Sequence, residues 1–235
     1  MQRCIPKQWE VDVVYIRCDS NHPEYKKNRN HFSSKYKLNS FWSETRDHNE
    51  ISNSIISVRK NMSWVRDIYV CSPKNHRINN FYPDKYWVKY ITNEDILWEE
   101  NCPNFNSHSL ELYTHKIKWL SEYYLQLNDD FFISNKVDLS DFFNFSSWKI
   151  KYYYENHLSI WSILSKTTQE KIIKLTNNKY YFWPVHFPRM FRKKHISNIV
   201  NMYWPESIYT KKWKFRNNND LQLLSNNSFL HDNVD

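Results

Sequence analysis

The chain has 235 residues, 40% hydrophobic and 18% aromatic, with a formal net charge of +8 and no glycine. That much apolar surface buries a substantial core in one α/β domain, or one domain with a smaller lobe, and excludes a largely disordered chain. MQRCIPKQWE lacks the apolar stretch of a leader, and no run nears the roughly 18 apolar residues that cross a bilayer. The expectation is therefore a cytoplasmic protein without a transmembrane segment.

In chain order, Val11 to Ile16 reads as a strand and Asp19 to Asn39 as a polar, basic loop. That loop has the composition of a segment covering a ligand, which an ordinary surface loop shares. Ile51 to Met62 follows as a helix, then Asp67 to Cys71 and Val88 to Ile91 as strands. Behind an N-cap at Asn106 or Ser107, apolar residues at 110, 113, 117 and 120 recur at helical spacing, which predicts a helix to Leu120. Tyr123 to Leu127 is a further strand. This alternation predicts a mainly parallel, Rossmann-like α/β sheet flanked by helices over residues 1–145. From Ser146 the pattern turns tyrosine-rich and then helical, with Gln169 to Leu175 the clearest helix, so residues 146–235 read as a smaller helical or irregular portion. Asn217 to Asp235 is Asn-rich and expected to fray.

Cysteines stand at 4, 18, 71 and 102 with no C-x-x-C pair, which favours reduced, buried thiols over a disulfide framework. With no Gly and no Ala in the chain, every backbone position with positive φ must be filled by Asn, Asp or another residue at some cost.

The Tyr123–Leu127 strand runs directly into Asn128, Asp129 and Asp130 before Phe131 and Phe132 resume the apolar pattern. Adjacent carboxylates with apolar neighbours repel one another and lose hydration, a cost offset by a cation or by exposure at a strand end. Oxygen-only ligands favour magnesium or manganese, and open α/β sheets bind ligands beyond the carboxyl ends of their strands. A plain turn between two hairpin strands fits this composition equally well. Glu111 starts one turn into the preceding helix, and His115, four residues on, reads as its structural or surface partner.

These residues carry a resemblance. Asp12-Val13-Val14-Tyr15 with Asp19 and Pro23, then Arg46-Asp47 with Asn49-Glu50, resemble opening blocks of the Stealth family of sugar-1-phosphate transferases. That family includes bacterial capsule polymerases and the catalytic subunit of the animal N-acetylglucosamine-1-phosphotransferase. Ser54, Ile55, Ser57, Trp64, Val65, Ile68, Tyr69 and Val70 continue the match, as does Asn93-Glu94-Asp95-Ile96. Pro103, Phe105-Asn106-Ser107, Glu111, His115, Leu120-Ser121-Glu122 and Leu127-Asn128-Asp129-Asp130 fit the longest block. His186 with Pro188, and Phe215-Arg216 with Asp220, are similar to two downstream blocks. Ser20, His22 and Asn104 depart from the family pattern.

The resemblance implies a GT-A-like core that binds a nucleotide sugar, with residues 146–235 completing the active site. It implies transfer of a hexose-1-phosphate, from a UDP-N-acetylhexosamine donor, to a hydroxyl of an acceptor glycan, with UMP released. Asp129 and Asp130 are then the metal ligands for Mg2+ or Mn2+, or one of them the base. Glu111 and His186 are further base candidates, His186 the first choice. Arg216 stabilises charge on the phosphoryl group, and Asp12, Asp19, Arg46, Asp47, Asn106 and Asp220 shape the donor pocket. The basic charge suits a phosphorylated ligand in general; no nucleic acid is expected. Two other readings stay open: a metal-dependent glycosyltransferase that releases UDP, and a non-catalytic basic binder of glycan or nucleic acid.

Overall fold

The computed structural model of the chain describes residues 5–35, 48–105, 107–151 and 188–203. Its centre is a five-stranded sheet of order β3-β2-β1-β4-β7. The strands are β1 (Val11–Ile16), β2 (Val65–Ser72), β3 (Val88–Thr92), β4 (Tyr123–Leu127) and β7 (Arg189–Arg192). The first four are mutually parallel, with Val13 opposite Leu125 and Val14 opposite Tyr69, and β7 returns antiparallel with Gln126 opposite Arg189. A separate pair, β5 (Phe143–Asn144) and β6 (Lys149–Ile150), forms a small hairpin. The α/β class expected from the sequence is the architecture observed.

The period of two along the strands feeds two cores. Val11, Val13, Tyr15, Leu125 and Leu127 pack with Ile51, Ile55 and Val58 of α2 (Glu50–Asn61) on one face. On the other, Val14, Tyr69, Cys71 and Tyr124 pack with Leu110 and Tyr113 of α4 (Ser107–Tyr113) and with Ile196 and Val200 of α5 (Lys193–Tyr203). Burial on both faces is what a parallel sheet requires, and it explains the near-continuous apolar runs of β1 and β4. Among the described residues, no helix is long and apolar enough to cross a membrane.

Three expectations are corrected. The polar stretch after Asp19 is not a loop throughout, because Pro23–Lys35 forms helix α1. Proline pre-sets the first turn and Glu24 favours the amino end, whereas a face with so few apolar residues gives no helical period to read. The helix begun at Ser107 stops at Tyr113 and tightens into a 3-10 turn over Thr114–Lys116. There the Thr114 hydroxyl donates back to the Glu111 carbonyl (2.8 Å) and contacts the Tyr124 hydroxyl (3.0 Å), competing with the helical ladder. Of the cysteines, only Cys71 is fully buried; Cys18 and Cys102 are half-buried, all three are reduced, and Cys4 lies outside the described residues. The helix expected at Gln169 to Leu175 and the Asn-rich end also lie outside them.

Among the described residues, seven that are not glycine have positive φ: Trp9, Asn49, Asn75, Asn80, Trp87, Trp98 and Trp148. Asparagine meets the expectation for a glycine-free chain; tryptophan at four such positions does not, since its bulky Cβ substituent gains no local hydrogen bond there.

Candidate functional site

Strand order runs outward in one direction from β1 through β2 to β3, and in the other through β4 to β7, so the order reverses between β1 and β4. A crevice outside the carboxyl ends of two such strands is where open α/β sheets take ligands. Tyr15 is opposite Leu127, which sets Arg17 of the β1 tip level with Asp129 of the β4 tip.

At the β1 tip, Arg17 is buried and its guanidinium lies 3.8 Å from the Asp19 carboxylate and donates to the Arg77 carbonyl at 3.4 Å. Asp19 accepts from the Asn21 amide at 2.9 Å, an Asx turn that aims the chain into α1. At the β4 tip, Asp129 is half-buried and Asp130 exposed, in a turn closed by Phe131 N–H donating to the Asn128 carbonyl at 3.3 Å. The chain beyond is tied to α2. Ile133 N–H donates to Ser57 Oγ (2.9 Å), Asn61 Nδ2 donates to the Ile133 carbonyl, and Trp64 Nε1 donates to the Val137 carbonyl (2.7 Å). These anchors leave the acidic turn little freedom to reorient.

Electrostatics join the two tips. The Cys18 thiol is pushed up to about 12, chiefly by burial, with Asp19 and Asp129 adding to the effect and the Tyr25 hydroxyl and Arg17 opposing it. Burial also raises the Tyr15 hydroxyl, partly offset by its hydrogen bond with Ser54, and Asp129 raises it further. Both groups therefore stay neutral near pH 7, and Asp129 sits within field range of Tyr15, Cys18 and their neighbours.

Glu111 reaches the same edge from α4. It is 9% exposed and pairs with Arg189 Nη2 at 3.3 Å, and Arg189 stands opposite Gln126 near the end of β4. His115 is buried, with Nδ1 2.7 Å from the Leu112 carbonyl.

Asp12 lies elsewhere. Near the amino end of β1, at the opposite edge of the sheet, its fully buried carboxylate accepts from Arg66 Nε (2.9 Å), Arg66 Nη2 (2.8 Å), Ser121 N (2.7 Å) and Asp67 N (3.2 Å). The structure thus gathers Asp19, Asp129, Asp130 and Glu111 at one edge and does not bring Asp12 to them. Arg46, Asp47, Asn106, His186, Arg216 and Asp220 lie outside the described residues.

Sequence reading missed Arg17, a buried cation directly after a strand, for which the only signal was a charged residue immediately following VVYI. It also missed a cleft beside this edge, lined by Tyr25, His76, Asn93, Glu94 and Phe105 among others. Among the described residues, no group of three or more His, Cys, Asp or Glu is placed to hold a metal ion.

Comparison with known proteins meets this geometry. Residues 44–151, which include β2, β3, α4 and the β4 tip, match the family model for Stealth protein CR2, conserved region 2. The chain is 30% identical to the capsular polysaccharide phosphotransferase cps1A of Actinobacillus pleuropneumoniae, over 96% of this chain and 66% of that protein. It is likewise 30% identical to a capsular polysaccharide phosphotransferase of Actinobacillus suis, over 96% of this chain and 61% of the relative. With LcbA of Neisseria meningitidis, also a capsular polysaccharide phosphotransferase, it shares 28% identity over 92% of this chain and 63% of the relative. The chain thus spans slightly less than two thirds of the length of these relatives. With conserved region 2 supplying β2, β3, β4 and the acidic strand tip, and relatives aligned along nearly the whole chain, the chain belongs to the Stealth family.

Proposed function

We propose that this chain carries the catalytic core of a hexose-1-phosphate transferase that builds a phosphodiester-linked glycan. The donor is a nucleotide sugar, a UDP-N-acetylhexosamine on the sequence resemblance, and the acceptor is a glycan hydroxyl. The acceptor oxygen attacks the β-phosphorus and forms the new P–O bond. The bond from that phosphorus to the bridging oxygen breaks, and the nucleoside monophosphate leaves with the bridging oxygen. The acceptor proton passes to a base, for which His186 is the first choice and Glu111 the second.

One observation carries this reading: Asp129 and Asp130 stand at the carboxyl tip of β4, beside the β1 tip, where the strand order reverses. Chemistry on a diphosphate depends on positioning and on neutralising spread negative charge. Asp129 and Asp130 are the residues that would hold Mg2+ or Mn2+, which when bound neutralises the donor's phosphoryl oxygens. Arg17, buried beside Asp19, supplies a fixed positive charge at the same edge. Arg216 is proposed for the phosphoryl group undergoing transfer.

The test is to incubate the chain with UDP-N-acetylglucosamine, magnesium and a panel of oligosaccharide acceptors and to identify the nucleotide released. UMP together with a phosphodiester product supports the proposal. UDP with a simple glycosidic product would transfer the chain to glycosyl-transfer chemistry, and release of neither nucleotide would end the enzymatic reading.

A further inference from the structure

We infer that the cleft between α1 and the carboxyl ends of β2 and β3 is the nucleoside subsite, with Glu94 accepting hydrogen bonds from the ribose hydroxyls. The inference rests on the nucleotide-sugar reading above and deepens it.

The cleft is an open surface hollow rather than an enclosed cavity. Tyr25 of α1 and Phe105 form an aromatic wall, their rings 5.4 Å apart and edge to face at 63°. The start of α3 (Asn93–Leu97), which follows β3 directly, also lines the cleft. Its first turn is fixed by a capping box in which Asp95 N–H donates to Thr92 Oγ1 (3.2 Å) and Thr92 N–H donates to Asp95 Oδ2 (2.9 Å). The cap occupies Asp95, whereas the Glu94 carboxylate takes no part in it.

Three residues that line this cleft each carry a buried side-chain atom without a hydrogen-bond partner among the described residues: Asn93 Oδ1, Glu94 Oε2 and His76 Nδ1. Asn93 is 3% exposed and His76 2%. Buried polar atoms are nearly always satisfied, so such a group concentrated in one concavity marks a place for a ligand. Asn93 Oδ1 and Glu94 Oε2 can only accept, so the occupant must offer O–H or N–H donors.

Charge then decides which end of the donor enters. Among the described residues that line the cleft, Glu24 and Glu94 stand against Lys74, which disfavours a phosphate and favours an uncharged, hydroxyl-bearing group. The cleft adjoins the acidic edge: the Tyr25 hydroxyl is hydrogen-bonded with the Cys18 thiol, next in sequence to Asp19, and His76 lies in the field of Asp19 and Arg17. A molecule that spans both places has a ring and a diol at one end and a diphosphate at the other. A carboxylate at a strand end that takes the ribose diol is a recurrent solution on doubly wound sheets.

The experiment measures calorimetric binding of UDP, CDP, ADP and GDP, with magnesium, to the wild-type chain and to Glu94→Ala, and repeats the tightest with its 2′-deoxy and 3′-deoxy counterparts. The wild type should lose about tenfold or more in affinity when the recognised hydroxyl is removed. Glu94→Ala should bind the ribonucleotide correspondingly weaker and no longer distinguish the deoxy form. Phe105→Ala should weaken both forms alike. If the wild type binds and transfers while Glu94→Ala keeps full affinity and full discrimination, this inference falls and the transferase reading stands. A raised acceptor KM in Glu94→Ala with unchanged nucleotide binding would reassign the cleft to the acceptor and overturn it equally. If no nucleoside diphosphate binds the wild type, both readings fall.

Discussion

Arg189, the first residue of β7, donates from Nη2 to Oε2 of Glu111 across 3.3 Å, joining positions 78 apart in sequence. The contact clasps α4 to the antiparallel edge strand and gives a largely buried carboxylate its counter-charge. Removing one partner leaves the other desolvated without its counter-charge. Arg189→Ala should therefore lower stability by roughly 1–3 kcal/mol, with Arg189→Lys retaining part of it. Denaturant unfolding checks this, and an unchanged midpoint in the alanine variant would show that the pair does not hold α4.

The acidic turn after β4 should behave in the opposite way. Asp130 is exposed and the backbone around it is fixed by anchors on α2, so Asp130→Asn should fold as the wild type does. Nucleotide release should drop by about 10²–10³ in that variant, as for loss of one preorganised charge-stabilising group, and a chelator should stop turnover without moving the melting temperature. Full turnover in Asp130→Asn, measured with the melting curve as control, would remove the turn from the chemistry.

Asp12 should report on stability alone. Its carboxylate receives four hydrogen bonds that tie β1 to β2 and to the segment ahead of β4. Asp12→Ala strands Arg66 and two backbone amides and should cost about 3–5 kcal/mol. Nucleotide affinity of the fraction that remains folded should be unchanged. A variant that lost affinity but kept its stability would return Asp12 to the donor pocket.

His76 should make the fold acid-sensitive. Burial first, and then the charge of the His22 ring, whose centroid lies 3.9 Å away, hold its pKa below the ordinary value of 6.5. The unfolded chain then binds more protons than the folded one as pH falls below about 6.5. Stability from this group is present above that pH and is lost on acidification toward the folded-state pKa. Comparing unfolding of the wild type and His76→Gln between pH 7 and pH 5 should show a steeper fall for the wild type. Parallel curves would exclude the imidazole as the source.

The central strands were legible because burial on both faces demands continuous apolar runs: Val11–Ile16 and Tyr123–Leu127 match the structure residue for residue. The acidic tip was legible because two carboxylates interrupt such a run. Helix α1 was not, since its exposed, lysine-rich surface carries no apolar period. Arg17 and His76 were not either: each acquires its role from a neighbour distant in sequence, Arg77 for Arg17 and His22 for His76. Asp12 shows the converse, where a matched sequence block marked a residue that the fold uses as a clamp at the far edge of the sheet.

The left-handed turns of this glycine-free backbone leave the protein room to be improved. At Asn80 and at Trp148, φ is 52° and 62°, and glycine would enter both without the penalty that a Cβ incurs there. Tightening the fold at such remote corners would tolerate losses at the strand tips that otherwise unfold the chain. A glycine-enriched background is thus the natural host in which to dissect its most destabilising substitutions.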